Sequence, residues 1–287
     1  MVNSLNCLVT SSELRTTKTG KPYLAGTLMD DTGTISFKIW DNAELMTSIM
    51  SSGLPVLVKA GVCEEFNKQL SVKITLVEAL PPEQAGEFML KAPIPFDNLK
   101  EKWDNYVQLL KEEERIDLEP GLARLEQSGV LNTFFNIPAG RRMHHVYMHG
   151  LLQHTIEVCD MVDRTISLMV HYHNLDVDRG IALCAAMFHD IGKVAEYEIS
   201  PVNTLDAFTP DGELLGHHIL SADAFDKLFR KAFSEFPDRL RGVKHCILSH
   251  HGRQDWGACM EPKTLEAHLV SKADHLSCLW EVFLNTR

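Results

Sequence analysis

A His-Asp pair lies in the apolar stretch AAMFHDIGKVAEYE, residues 185–198. His189 and Asp190 take positions where the helical pattern predicts core residues, and Lys193 follows one turn later. A lysine four residues after His189 and three after Asp190 shares their helical face, so its ammonium could neutralise negative charge beside them. The alternative is a surface lysine whose aliphatic stem covers a buried helix.

The histidines are confined to one part of the chain. All 14 lie between His144 and His275, and the first 143 residues contain none. Histidine is the commonest metal ligand and a frequent general base. Several of them, with one further aspartate, stand among apolar neighbours as the first pair does: His154, His217, His218, His250, His251 and Asp274. Because each buried polar group would otherwise need its own partner, the set predicts a shared metal site.

Part of this set resembles the ligand pattern of the HD superfamily of metal-dependent phosphohydrolases. His154, His189-Asp190 and Asp274 match the order His…His-Asp…Asp of that superfamily. The resemblance implies that these four residues hold one divalent metal ion and that Asp190 is a bridging carboxylate. It also implies Asp190 and Lys193 as the catalytic residues, with a metal-activated water as the nucleophile.

The remaining histidines resemble the ligands of a second ion in the dinuclear members of the superfamily. The resemblance assigns His217, His250 and His251 to that ion. The residues leave open whether His218 rather than His217 is the ligand. Mixed nitrogen and oxygen ligation favours Mn²⁺ or Fe²⁺ for the two ions, with Mg²⁺, Co²⁺ and Ni²⁺ also compatible.

The first 80 residues show the alternating pattern of strands. KPYLAGTLMDDTGTISFKIWD contains two apolar-polar runs joined by a turn, and residues 54–80 contain two more. A short helix ending at Gly53 is expected between the two pairs. This arrangement predicts a small closed barrel. Its GKPY and DTG segments, and the strand ending in Trp40, resemble an OB-fold of the nucleic-acid-binding type.

Alternation separates the two faces of these strands. The apolar positions predict a barrel core of Leu24, Leu28, Ile35, Phe37 and Ile39. The opposite face carries Tyr23, Lys38 and Trp40, which could stack bases beside a cation and so bind a single strand. The alternative for Trp40 is packing against the second domain. With seven Lys and Arg against eight Asp and Glu, this segment should bind phosphates weakly and with strong salt dependence.

The chain is therefore predicted to be a multidomain α+β protein. A small N-terminal all-β OB-fold barrel is expected over residues 1–80, and an all-α HD domain over residues 98–287. Residues 81–97 contain four prolines and no clear period, which is typical of a linker.

Composition limits the partners and the compartment. A formal net charge of −11 argues against a surface built for duplex DNA. No apolar run is long enough to cross a bilayer, and the first residues lack the pattern of a signal peptide. The seven cysteines form no CxxC pair, so reduced thiols, a cytoplasmic protein and no membrane partner are expected.

An OB-fold, a proline-rich linker and an HD domain in this order resemble the YhaM-type 3′→5′ exoribonucleases. The segments HHVYMHGLLQHT, FHDIGKVAEYE, DGELLGHH, LSHHGRQDWG and EPKTLEAHLVSKAD resemble the blocks of that family. The resemblance implies a metal-dependent 3′→5′ exonuclease whose partner is single-stranded RNA or ssDNA, and association into a homo-oligomer.

Two other functions stay open from the sequence. One is an HD phosphohydrolase acting on small nucleotides or cyclic (di)nucleotides. The segment RQDWG after HHG lacks the Gly-Tyr-Pro step of cyclic-di-GMP enzymes and disfavours that subtype. The other is a non-catalytic adaptor that binds single strands.

Overall fold

The computed structural model describes residues 4–66, 69–141, 145–199 and 203–285. It divides into two compact units, of which the first reaches to Lys91 and the second begins at Ala92. Within the described part of the chain, no helix is long and apolar enough to cross a membrane.

The first unit is a closed five-stranded barrel. Its elements are β1 (Leu5–Thr16), β2 (Pro22–Asp30), β3 (Gly33–Ile39), α1 (Ala43–Met46), β4 (Pro55–Phe66) and β5 (Gln69–Ala79). The strand order is β1-β2-β3-β5-β4, with β3 and β5 parallel and the other neighbours antiparallel. This order, with the helix between β3 and β4, is that of an OB-fold, so the predicted barrel is confirmed.

The predicted core fills the barrel. Leu24, Leu28, Phe37 and Ile39 are buried, and Ile35 packs against them from a half-buried position. The strands coil around this core at a β-bulge in β1. Facing the bulge, a Cβ on Gly26 would lie 1.9 Å from the carbonyl oxygen of Ser11, so the close approach of β1 and β2 requires glycine there.

The predicted linker is partly structured. A 3₁₀ helix spans Pro82–Phe88 and packs against β1 and β4, with Ala85 and Met89 buried. The first helix of the second unit begins at Phe96, two residues before the predicted start of that domain. The prolines fit both features, since Pro82 is the first residue of the 3₁₀ helix and Pro95 precedes the α-helix.

The second unit is helical around one core. Its helices are α2 (Phe96–Glu112), α3 (Glu119–Gln127), α4 (Val130–Asn136), α5 (Gly150–His173), α6 (Arg179–Phe188), α7 (Lys193–Glu196), α8 (Pro210–Phe229), α9 (Pro237–Ser249) and α10 (Leu265–Asn285), with 3₁₀ turns at Arg230–Phe233 and Gln254–Trp256. Helix α5 packs against α6 and α10, and α6 against α9. Buried aromatic side chains including Trp103, Phe134 and Phe188 fill the space between helices.

Two features of this unit differ from the prediction. A two-stranded antiparallel hairpin, β6 (Tyr197–Ile199) and β7 (Leu205–Phe208), interrupts the helices. Residues 185–198 are also not one helix, because α6 ends at Phe188 and α7 begins only at Lys193. The shared helical face proposed for His189, Asp190 and Lys193 is therefore wrong, although the intervening turn still brings them together.

Candidate metal site

All seven predicted ligands come together from five helices, four at or near a helix end, one at a kink and the other two within α5 and α10. The first cluster, called here the Asp274 group, comprises His154 on α5, His189 and Asp190 after α6, and Asp274 on α10. The Nε2 atom of His154 lies 3.1 Å from both His189 Nε2 and Asp274 Oδ1. His189 Nε2 lies 3.3 Å from Asp190 Oδ2. All four side chains are buried.

The second cluster lies on the other side of Asp190 and is called here the four-histidine group. It comprises His217 and His218 on α8, and His250 and His251 at the end of α9. One ring nitrogen from each lies within 4.8 Å of the others. Asp190 Oδ1 is 3.5 Å from His217 Nε2 and 3.7 Å from His250 Nε2, so its two oxygens face the two groups.

Hydrogen bonds fix the tautomer of five of these imidazoles. In each ring Nδ1–H donates to an oxygen, which leaves Nε2 with a free lone pair when the ring is neutral. The acceptors are Ala186 O for His189 (2.8 Å), Ile247 O for His250 (2.7 Å), Trp256 O for His251 (3.0 Å), Glu196 Oε1 for His217 (2.9 Å) and Ser277 Oγ for His154 (3.0 Å). This is the pattern that orients histidines as metal ligands.

Several of the converging atoms have no protein partner. Among the described residues, Asp190 Oδ1 and the Nε2 atoms of His217, His218 and His250 are buried without a hydrogen bond. Buried polar atoms normally have partners, and four such atoms at one point indicate a ligand-binding position. Imidazole lone pairs that face carboxylate oxygens suit a divalent metal ion. The histidine and aspartate side chains of the two groups therefore fit such an ion.

Lys193 is buried and held by two acceptors. Its Nζ donates to Asp190 Oδ2 at 2.7 Å and to the carbonyl oxygen of Ala139 at 2.7 Å. The alternative of an exposed, snorkelling lysine is therefore wrong. Burial opposes ionisation of Asp190, but the positive charge of Lys193 outweighs it and holds the pKa of that carboxyl well below its usual range. Asp190 is thus a carboxylate, the form that binds metal.

Glu196, which the sequence did not single out, orients His217. Helix α8 is broken at Gly216, whose φ of 71° and ψ of 160° are open essentially only to glycine. A new helical segment starts at His217, and Glu196 Oε1 accepts from both its backbone N–H at 3.0 Å and its Nδ1 at 2.9 Å. One oxygen of Glu196 therefore both caps the new helical segment and orients the imidazole ring of His217.

Glu157 supports His154 in a similar way. Ser277 accepts from His154 Nδ1 and donates to Glu157 Oε2 at 2.7 Å. His145 and Gln153 bind the same carboxylate at 3.1 and 2.8 Å. Burial alone would raise the pKa of Glu157, but these hydrogen bonds and the charge of His145 lower it to about 2. Glu157, Ser277 and Glu196 are ordinary polar residues in sequence, so only the fold reveals their role.

His218 is also brought into the site. Its ring stacks on that of His250 with 4.5 Å between centroids, and lies 4.2 Å from the ring of His251. Burial and the nearby rings of His217 and His251 lower the pKa of His218 to about 2. Its imidazole is therefore neutral. The sequence left open whether His217 or His218 is the ligand, and the structure brings both rings to the same group.

The barrel carries the predicted nucleic-acid residues on its outer face. The rings of Tyr23 and Trp40 stack on each other, with centroids 4.6 Å apart and planes at 21°. Lys38 lies two residues before Trp40 and pairs across the sheet with Lys73. Like charges directly opposite each other repel, and a bound anion would relieve that repulsion. Lys73 was not predicted, since its place beside Lys38 depends on the parallel pairing of β3 and β5.

Comparison with known proteins agrees with both units. Residues 151–279 match the HD domain family. A protein named 3′-5′ exoribonuclease YhaM from Listeria monocytogenes is 29% identical over 271 residues, which cover 93% of this chain and 82% of that protein. Its namesake from Bacillus subtilis is 26% identical over 275 residues, covering 94% and 82%.

Solved OB domains also resemble the barrel. One from Methanosarcina mazei, determined by NMR, is 29% identical and covers 29% of this chain and 75% of its own, with a TM-score of 0.24. The strand order, rather than this likeness, assigns the fold. The HD domain implies dependence on a divalent metal ion, and the two groups supply a candidate site for it. The chain is a homologue of the proteins named 3′-5′ exoribonuclease YhaM, with an OB-fold barrel followed by an HD domain.

Proposed function

We propose that this protein is a metal-dependent exonuclease that removes nucleotides from the 3′ end of single-stranded RNA. The observation that carries the proposal is the convergence of lone-pair imidazole nitrogens on the carboxylate of Asp190, inside an HD domain. The names of the relatives support RNA as the substrate and the 3′→5′ polarity.

The Asp274 group would hold one divalent ion and the four-histidine group a second, with Asp190 offering one oxygen to each. Bound cations would polarise the phosphoryl oxygens and lower the pKa of a water molecule, and Mn²⁺ or Fe²⁺ suits the mixed ligands. Glu196 and Ser277 keep their histidines in the tautomer that presents Nε2.

Lys193 has two roles in this proposal. Two of the three N–H donors of its ammonium are used by Asp190 and Ala139, which keeps the carboxylate in place. The third donor and the positive charge are available to a phosphoryl oxygen as negative charge develops there. The ammonium therefore both positions a ligand and stabilises the transition state.

The barrel would hold the strand without reading its sequence. Bases would stack on the Tyr23 and Trp40 rings, and Lys38 with Lys73 would bind phosphate. Such a surface accepts RNA and ssDNA alike, so the preference for RNA is to be measured. Association into a homo-oligomer also stays a prediction, which sedimentation velocity would test.

The test is a gel assay of 5′-labelled single-stranded RNA and DNA with Mn²⁺. Wild-type protein should give a descending ladder, Asp190→Asn should give none, and the exposed Asp176→Asn should match wild type. Loss of the 5′ label as a mononucleotide, or cleavage at internal positions, would contradict the 3′→5′ polarity. Intact strands despite bound Mn²⁺ would refute the nuclease proposal and favour hydrolysis of small nucleotides, to be assayed next by phosphate release.

A further inference from the structure

We propose that His218 is a fourth imidazole ligand, which makes the four-histidine group a nitrogen-rich position selective for transition metals over Mg²⁺. The inference rests on the proposed function only in assuming that the site takes divalent ions. It adds a ligand and a metal preference to that site.

The position of His218 is the first support. The residue is 6% exposed, and its Nε2 is one of the buried atoms without a hydrogen bond among the described residues. A histidine kept for packing alone would be expected to hydrogen-bond at a buried nitrogen, because leaving a buried polar atom unpaired destabilises the fold. Its ring instead stacks between other imidazoles, and all four residues bring a nitrogen within 4.8 Å.

The two consecutive histidines lie side by side at the start of one helical segment. The break at Gly216 makes His217 the first residue of a new helical segment, so its ring is drawn toward Glu196. The ring of His218 follows at 4.2 Å between centroids and 28° between planes. The two rings are therefore adjacent even though consecutive residues of a helix point about 100° apart.

The donor set then distinguishes the two groups. The Asp274 group combines two imidazoles with two carboxylates, a mixture that hard and borderline cations both accept. The four-histidine group offers four imidazoles and shares one oxygen of Asp190. Imidazole suits Fe²⁺, Co²⁺, Ni²⁺ and Zn²⁺, whereas Mg²⁺ prefers oxygen ligands and keeps its waters. The second position should therefore bind Co²⁺ far more tightly than Mg²⁺.

The experiment compares His218→Leu with wild type after removal of metal by a chelator. Leucine fills a similar volume and removes only the nitrogen donors. Isothermal titration with Co²⁺ should show two sites in wild type. In His218→Leu the affinity of one site should fall at least about 10-fold, and the visible absorption of that Co²⁺ should change. The exposed His173→Leu at the end of α5 is the matched control and should bind as wild type does.

Magnesium supplies the second readout. Titration with Mg²⁺ should give nearly the same affinity in wild type and His218→Leu, so the Co²⁺/Mg²⁺ affinity ratio of one site falls at least about 10-fold. Unchanged Co²⁺ affinity and spectrum in His218→Leu would overturn the inference, provided that His250→Leu loses Co²⁺ in the same assay. If His218→Leu fails to fold by circular dichroism, X-ray absorption of Co²⁺-loaded wild type decides, since one position should show four imidazoles.

This result is separable from the nuclease proposal. Metal titration uses no nucleic acid, so a protein that binds two Co²⁺ ions through His218 but cleaves no RNA would sustain the inference and refute the function. A protein that cleaves RNA with His218 outside the coordination sphere would sustain the proposed function and refute the inference.

Discussion

Glu196 offers a sharp test of how this site is held, because its side chain hydrogen-bonds to His217. Its Oε1 accepts from the backbone N–H and the Nδ1–H of His217, and the side chain is buried. Glu196→Ala leaves both donors unpaired at about 1–3 kcal/mol each, so the free energy of unfolding should fall by roughly 2–6 kcal/mol. Glu196→Gln keeps an acceptor oxygen and loses only its charge, so a loss of about 1–2 kcal/mol is expected.

The affinity for metal should also fall when Glu196 is replaced. Without its carboxylate partner the ring of His217 loses a fixed tautomer and some basicity, which typically lowers metal affinity about 10–100-fold. That loss equals about 1.4–2.7 kcal/mol of binding free energy. The exposed Glu198→Gln, two residues further on, is the control and should stay within about 0.5 kcal/mol of wild type in stability.

The assays are urea denaturation of metal-free protein and titration of the same protein with Co²⁺. A Glu196→Ala protein that is folded, binds Co²⁺ with wild-type affinity at both positions and unfolds at the wild-type urea concentration would refute this account. Equal behaviour of Glu196→Gln and Glu196→Ala would mean that the charge, rather than the accepting oxygen, orients the histidine.

Four further outcomes are expected. Asp190→Asn should abolish cleavage on the labelled-RNA gel and cost about 3–5 kcal/mol in urea denaturation, because its lysine partner stays buried without a counter-charge; wild-type stability would contradict this. Trp40→Ala should weaken binding of a single-stranded oligonucleotide by about 1–3 kcal/mol in fluorescence anisotropy while leaving kcat unchanged. The double change Lys38→Gln with Lys73→Gln should reduce the slope of log K against log salt by about 1.4, and an unchanged slope would remove both residues from the interface. Glu157 has a pKa of about 2 in the folded protein against an ordinary value of 4.5, so its contribution, at most about 3 kcal/mol, should be complete above pH 4.5 and lost as the pH falls toward 2. Comparing Glu157→Gln with wild type by urea denaturation at several pH values checks this, and a constant difference would contradict it.

The convergence of the candidate metal-site residues was predictable because these residues break a pattern. His154 and Asp274 lie on long apolar helices, and His189-Asp190 follows a run of buried residues, so each is conspicuous against its neighbours. The barrel was predictable for a related reason, since alternation places Phe37 and Lys38 on opposite faces without knowledge of the tertiary structure.

The supporting residues were not predictable in this way. Glu157 and Glu196 are charged residues on helices, which most often belong to solvated faces. Their roles arise from segments distant in sequence, since Glu157 meets Ser277 across 120 residues and Glu196 meets His217 across a broken helix. The helix expected at residues 185–198 is instead divided, because a turn containing His189 and Asp190 separates α6 from α7.

Two histidines of the site lie where helices end. The last carbonyl oxygens of a helix have no N–H partner within the helix. His189 and His250 are both the residue that closes a helix, and each donates its Nδ1–H to the carbonyl oxygen three residues earlier, in Ala186 and Ile247. One hydrogen bond thus satisfies a carbonyl group of the final turn and fixes the imidazole tautomer. At these two positions, ending the helix and orienting the imidazole are therefore achieved by the same hydrogen bond. His154 lies inside α5 and reaches the same tautomer through Ser277 instead.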